Sequence, residues 1–149
     1  MRAVIQRISR GSVTVDSATV GVVARGLLVY AAAAPDDADA DIEYIADKVS
    51  HLRIFLDDAG KMNLDVSQIG GGVLLVSAFT VLADARKGRR PSFDSSAAGP
   101  VAEPLIEKLA AAIRTFGLTV ETGRFAADMQ VESVNDGPIC ILLDSRRVI

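Results

Sequence analysis

Gly123-Arg124-Phe125-Ala126-Ala127-Asp128-Met129-Gln130-Val131-Glu132-Ser133-Val134-Asn135-Asp136-Gly137-Pro138-Ile139-Cys140 holds the feature on which the fold turns. Met129, Val131 and the run Ile139 to Leu143 have the apolar content of strands, and Asn135-Asp136-Gly137-Pro138 between them is dense in turn formers. Two strands flanking a tight polar loop are predicted. Taken alone, these four residues fit an ordinary hairpin turn. A Gly-Pro step also has its own chemistry. Glycine reaches backbone angles closed to other residues, proline has no amide hydrogen, and a cis bond before proline costs only about 0.5–1 kcal/mol. Such a step can present bare carbonyl oxygens.

A second stretch bears on the first. Val73-Leu74-Leu75-Val76 is a continuous apolar run with the pattern of a buried strand, and it ends in Ser77-Ala78-Phe79-Thr80, where hydroxyls and an aromatic ring meet. Together the two stretches resemble the D-aminoacyl-tRNA deacylase family, which carries Ser-Gln-Phe-Thr and Asn-x-Gly-Pro-Val-Thr segments. Met1-Arg2-Ala3-Val4-Ile5-Gln6-Arg7, Lys61-Met62-Asn63-Leu64, Gly88-Arg89-Arg90-Pro91-Ser92-Phe93 and Gly123 to Val131 extend the match, in order, over nearly the whole chain. Two positions depart from the family pattern: Ala78 stands where the family has Gln, and Cys140 where it has Thr.

Composition bounds the answer independently. A chain of 149 residues, half of them apolar, suits a single domain with a real core, and no linker or internal repeat divides it. One cysteine excludes an internal disulfide framework, and Met1 is followed by a strand-like segment with Arg2, Gln6 and Arg7 rather than by a signal sequence. The longest apolar stretch, Gly26 to Ala34, falls far short of the roughly 20 residues a membrane span needs. A cytoplasmic location with no membrane partner is expected. Net charge is −3, so any RNA contact must come from a local basic patch.

Along the chain, Ala3 to Ile8, Ser12 to Val15 and Val20 to Val23 read as three short opening strands, and Leu27 to Ala31, apolar on both faces, as a central one. Pro35-Asp36-Asp37 has the acidic character of a helix start, and Ile42, Ile45, Val49, Leu52 and Leu56 recur at helical spacing. Gly70-Gly71-Gly72 lacks phosphate-loop spacing and reads as a flexible strand entry. Pro100 introduces a second helix over Val101 to Phe116, closed by Gly117 and read as scaffold. Leu118 to Glu121 is a further strand, and Asp144 to Ile149 a tail without an evident role. The result is a mixed α/β fold with two main helices in one domain, and the resemblance implies a three-layer homodimer.

Chemistry-bearing side chains are few. One histidine and one cysteine cannot build a zinc site, so no metal and no cofactor are expected. His51, beside Ser50 and Arg53, suits a solvated helix side better than a triad. Cys140, within Ile139-Cys140-Ile141-Leu142, reads as a small buried hydrophobe rather than a reactive thiol. Arg86, Lys87, Arg89 and Arg90 form a basic loop after the Ser77–Thr80 segment, either simply solvated or contacting tRNA phosphates.

The resemblance implies more. It implies ester hydrolysis of D-aminoacyl-tRNA, with the Gly137–Pro138 step of each subunit entering the partner's pocket and incomplete rejection of glycine, as on glycyl-tRNA(Ala). Gly137 and Pro138 would turn their carbonyls to the substrate ammonium, leaving no space for an L side chain. Met129 and Asn135 fall in the substrate-binding motifs, and Arg7 would brace the Gly-Pro loop unless it is only a surface arginine. Ser77 and Thr80 have no evident base, so a positioning role suits them better than nucleophilic attack. Main-chain donors around Phe79 and Thr80 would stabilise the oxyanion. Phe79 either stacks with the adenine or is a core aromatic. A related deacylase clearing L-alanine or another residue, and a non-catalytic tRNA-binding module, are the competing readings.

Overall fold

A computed structural model describes every residue from Met1 to Ile149. Its elements are β1 (Arg2–Val15), β2 (Ala18–Val23), β3 (Gly26–Ala32), α1 (Asp39–His51), β4 (Phe55–Leu56), β5 (Met62–Leu64), β6 (Gly72–Ser77), a 3₁₀ turn (Phe79–Leu82), α2 (Gly99–Arg114), β7 (Val120–Thr122) and β8 (Gln130–Asp144). Six strands form one sheet in the order β2-β1-β3-β6-β7, with β8 on the other edge of β1, while β4 and β5 make a separate small hairpin. The pairs β3–β6 and β6–β7 are parallel and the rest antiparallel.

The segments Ala3 to Ile8 and Ser12 to Val15 prove to be one strand with a bulge. Between the pairs Ile8↔Asn135 and Arg10↔Val134, β1 spends two residues against one of β8. An extra residue inverts the alternation of faces. Ala3 and Ile5 therefore face the helices, whereas Ile8, Val13 and Val15 join Val23, Leu28, Leu74 and Val76 in a second core. β1 pairs with β3 along its first half and with β2 along its second, so the sheet curls until β2 lies over β6 and β7. The result is close to a barrel, with both helices outside one face. α1 and α2 pack there over Leu27, Val29, Val73 and Leu75.

Close backbone contact explains two glycines. A Cβ at Gly26 would lie 1.9 Å from the carbonyl oxygen of Gly72, its partner in the β3–β6 ladder. A Cβ at Gly71 would lie 3.0 Å from the Arg25 carbonyl oxygen and 2.5 Å from the Ile69 side chain, whereas Gly70, with φ near +63°, stands in open space as a turn glycine. α1 ends at His51, so the helical periodicity ran past the true end: Leu52 is its C-cap and Leu56 lies half exposed in β4. α2 stops at Arg114, and Phe116 turns outward, 42% exposed, with its ring edge-on to His51 at 4.9 Å. The tail is docked: Ser145 Oγ accepts from the buried Met1 ammonium at 2.8 Å, and that ammonium also pairs with Asp37 at 2.6 Å.

Candidate active site

The parallel strands β3 and β6 end side by side, and the crevice beyond the carboxyl ends of such strands is where α/β sheets bind ligands. A cavity of about 490 Å³ opens there. Its wall comes from Ala31–Ala33 at the end of β3, from Ser77, Ala78 and Phe79 after β6, from Ala102 and Ile106 of α2, and from the segment 125–129. Alanines dominate it, and Asp128 is its one ionisable side chain. The Ala78 amide donates to the Ala31 carbonyl at 2.9 Å, and the Ala97 amide to the Ala33 carbonyl at 2.8 Å, fixing two walls to the strand end. Ala102 and Ile106 make α2 part of the site, not scaffold alone. The Ala31–Ala34 run, at the end of a central strand, was the sequence signal for this space.

Phe79 is not a core aromatic. It is 55% exposed at the cavity wall, its ring edge-on to Phe93 with centroids 5.0 Å apart, and its carbonyl accepts from Ser96 Oγ at 2.9 Å. Ala78 is the cap of the 3₁₀ turn, so the amides of Phe79 and Thr80 have no acceptor within it, while the Val81 amide already donates to the Ala78 carbonyl. The Thr80 side chain does not line the cavity; Ser77 does. No nucleophile–base pair forms, because His51 lies on α1 with Nδ1 3.0 Å from Asp47 Oδ1. Met129 lines the cavity and is pinned by Gly123, where an added Cβ would come within 2.5 Å of the Met129 sulfur.

The Gly-Pro step lies elsewhere in the molecule. Gln6 pairs with Cys140 and Ile8 with Asn135, so residues 136–139 of β8 loop out opposite Arg7 alone. This is an insertion within one strand, not a hairpin: both flanks run antiparallel to β1 and the chain does not reverse. The Gly137–Pro138 peptide is cis, and the segment is exposed. Arg7 is no surface arginine. It is 8% exposed, and its Nε donates to the Asp136 carbonyl at 2.9 Å and lies 3.1 Å from Asp136 Oδ2, while Nη1 donates to the Ile54 carbonyl. The Asn135 carboxamide donates to the carbonyls of Arg7 (3.0 Å) and Ile139 (2.9 Å), which ties both ends of the loop together. None of Arg7, Asn135, Gly137 or Pro138 lines the 490 Å³ cavity.

Cys140 is exposed, contrary to the expectation of burial. On the half-covered β8, Ile139, Ile141 and Leu143 point to the helices, so Cys140 and Leu142, 64% exposed, take the open face. The basic loop is closed at its base by reciprocal Asp84–Ser92 backbone bonds of 2.8 and 2.9 Å. Within it the Arg86 guanidinium grips Asp84 through Nε (2.9 Å) and Nη2 (2.6 Å), which holds that carboxyl well below its usual range. Lys87, Arg89 and Arg90 are exposed and in no ion pair.

Residues 4–144 match the family model of D-Tyr-tRNA(Tyr) deacylase. The chain belongs to this family. A D-aminoacyl-tRNA deacylase of Anaeromyxobacter dehalogenans is 57% identical over 148 residues, 99% of each chain, and one of Heliobacterium modesticaldum is 51% identical over 146 residues, 98% of this chain and 97% of its own. Among solved structures, the c-Myc DNA Unwinding Element Binding Protein superposes with a TM-score of 0.90 at 33% identity, covering 97% of this chain and 98% of its own. A probable eukaryotic D-amino acid tRNA deacylase shares the fold, with a TM-score of 0.84 at 17% identity. As a deacylase-family protein, the chain is a hydrolase acting on aminoacyl-tRNA. No helix is long and apolar enough to cross a membrane.

Proposed function

We propose that this deacylase releases D-amino acids from tRNA at a site completed by two subunits, the cavity of one closed by the Gly137–Pro138 loop of the other. One observation carries the reading: the cavity holds Ser77, Phe79 and Met129, while the braced Gly137–Pro138 loop stands exposed outside its own protomer's cavity. A two-fold dimer brings unlike surfaces of identical chains together in just this reciprocal way. The open β8 face, with Leu142 at 64% and Val134 at 42% exposure, gives such a dimer apolar area to bury.

In this site the terminal adenosine enters the apolar cavity against Phe79, and the ester carbonyl lies over the Phe79 and Thr80 amides. Two oriented amides lower the barrier by stabilising the developing oxyanion, each by about 2.7–4 kcal/mol. The attacking water is oriented by the substrate's own ribose hydroxyl. Ser77 positions the substrate, since a hydroxyl without a base is a poor nucleophile. The partner's Gly-Pro carbonyls receive the ammonium and leave no room for an L side chain, so D-aminoacyl esters react, glycyl esters such as glycyl-tRNA(Ala) react in part, and L esters survive. Lys87, Arg89 and Arg90 hold tRNA phosphates.

Deacylation of matched D- and L-aminoacyl-tRNA tests the activity; equal rates would refute it. Complementation tests the shared site. A cavity-plugging variant, Ala102→Phe, is mixed with a variant lacking Gly137 and Pro138. Random re-pairing yields one intact composite site in half the dimers, so activity returns to roughly a quarter of wild type. No recovery from mixed, dimeric protein would place the loop's action within its own subunit.

A further inference from the structure

A second depression, of about 470 Å³, lies across the 3₁₀ turn from the cavity, bounded by Arg2 at the start of β1, Arg86 after the turn and Arg146 in the C-terminal segment. The two spaces are neighbours along the same backbone. The chain leaving β3 runs from Ala31–Ala33, which line the cavity, to Ala34, which lines the depression, and the turn runs from Phe79 on one side to Leu82 on the other. At a rise of about 2.0 Å per residue, the turn separates them by only about 6 Å.

The three guanidinium groups here are paired but not saturated. Arg2 donates to Asp144 through Nε alone, leaving both of its terminal nitrogens without a hydrogen bond. Arg146 uses Nη2 on Asp36, and Arg86 uses Nε and Nη2 on Asp84, so each keeps Nη1 free. Their side chains are 28%, 45% and 87% exposed; of the carboxylates they hold, Asp144 beneath Arg2 is only 2% exposed, while Asp36 is 73% and Asp84, which also lines the depression, 36% exposed. Three partly exposed guanidinium groups thus keep unspent N–H donors, over one covered carboxylate and two exposed ones that each already hold an arginine. A planar guanidinium with unspent donors suits a phosphate oxygen.

We propose that this depression carries the phosphodiester backbone of the unpaired nucleotides that precede the terminal adenosine, with Arg2 and Arg146 as phosphate contacts beyond the 84–92 loop. The proposal rests on the deacylase reading, in which that adenosine occupies the neighbouring cavity. It makes the groove, rather than the loop alone, the track along which the RNA approaches.

The test compares two substrates. Arg2→Gln/Arg146→Gln protein and wild type are assayed on D-aminoacyl-tRNA over a range of salt, and on the D-aminoacyl ester of adenosine, which has no phosphate. Each lost single-strand contact removes about 0.7 from the slope of log K against log salt, or about fivefold in affinity at 0.1 M relative to 1 M salt. The double variant should lose about 25-fold in kcat/KM on tRNA at low salt, shed about 1.4 of slope, and keep wild-type turnover of the adenosine ester. Equal losses on both substrates, or an unchanged slope, overturn the groove. Because Arg2 covers the buried Asp144, Ala85→Glu serves as a second variant. It adds a repelling carboxylate at an exposed groove position without breaking a bond, and it should weaken tRNA alone. If wild type hydrolyses neither ester, the deacylase reading fails. The groove is then judged by binding of uncharged tRNA, where an unchanged slope in the double variant sinks it.

Discussion

Replacing Arg7 by alanine should loosen the Gly137–Pro138 loop and the domain together. The side chain is buried and joins three points: the Asp136 carbonyl at 2.9 Å, the Asp136 carboxylate at 3.1 Å and the Ile54 carbonyl. A hydrogen bond from a charged donor contributes about 1.5–3 kcal/mol, so the two carbonyl contacts together represent about 3–6 kcal/mol. The ion pair adds little, since the Asp136 side chain is 46% exposed. In a domain of this size each kcal/mol moves Tm by about 2–4 °C, so a fall of about 10 °C is expected. Displacing a positioning loop by about 1 Å costs on the order of 10²-fold in rate, and D-specific deacylation should drop by that order. Arg7→Lys keeps the charge but not the fork; one ammonium cannot serve both Asp136 and Ile54, so it should recover less than half of the stability. Urea unfolding at fixed protein concentration and deacylation kinetics are the assays. An Arg7→Ala protein within about 1 kcal/mol of wild type and fully active would refute the bracing argument.

Three further outcomes are expected. Lys87→Gln, Arg89→Gln and Arg90→Gln should each reduce the salt slope of tRNA binding by about 0.7–0.9, and Arg86→Gln by less because Asp84 already holds Arg86; four equal effects would show the Asp84 pairing to be irrelevant. Ser77→Ala and Thr80→Ala should slow the reaction without abolishing it, with Thr80 the milder because its side chain lies outside the cavity; a trapped aminoacyl-enzyme at either residue would contradict this. The Asp41 carboxyl is held below its ordinary value, chiefly by the Ala38 amide and next by Ser145. Its folded pKa being the lower one, its stabilisation is complete above the unfolded value and is lost as pH falls through the folded one. Asp41→Asn should therefore lessen the fall in urea midpoint below about pH 4, and an unaltered acid limb would argue against it.

Much of the fold was legible because the apolar runs of β3 and β6 and the periodicity of both helices are local signals. What was not legible depends on partners distant in sequence. The bulge that joins two apparent strands into β1 exists only relative to β8, and the loop in β8 reads as a hairpin until both its flanks are seen on one strand. Arg7 was expected beside the Gly-Pro loop only through the resemblance; nothing local shows its burial, because its acceptors are 47 and 129 positions away. Cys140 lies in an apolar run whose alternate members face outward, and four apolar letters in a row do not say which face is covered. Of the residues that line the cavity, Ser77, Phe79 and Met129 were singled out from motifs, whereas the alanines at and after the end of β3 and Ala102 of α2 were not. Small residues leave space without announcing what fills it.

The pairing of β1 with β8 joins residues 2–14 to residues 130–144, the two most distant segments of the domain. Contacts of such sequence separation form slowly, because the loop they close must be ordered first. During synthesis β1, β2 and β3 emerge early, and one edge of β1 then stays unpaired until almost the whole chain has been made. An open edge of that length invites pairing with another chain. The last strand to arrive covers this edge and also delivers the Gly137–Pro138 loop to its place opposite Arg7. Edge protection and assembly of the loop are thus a single late folding event, and a nascent chain that lacks β8 lacks the loop as well.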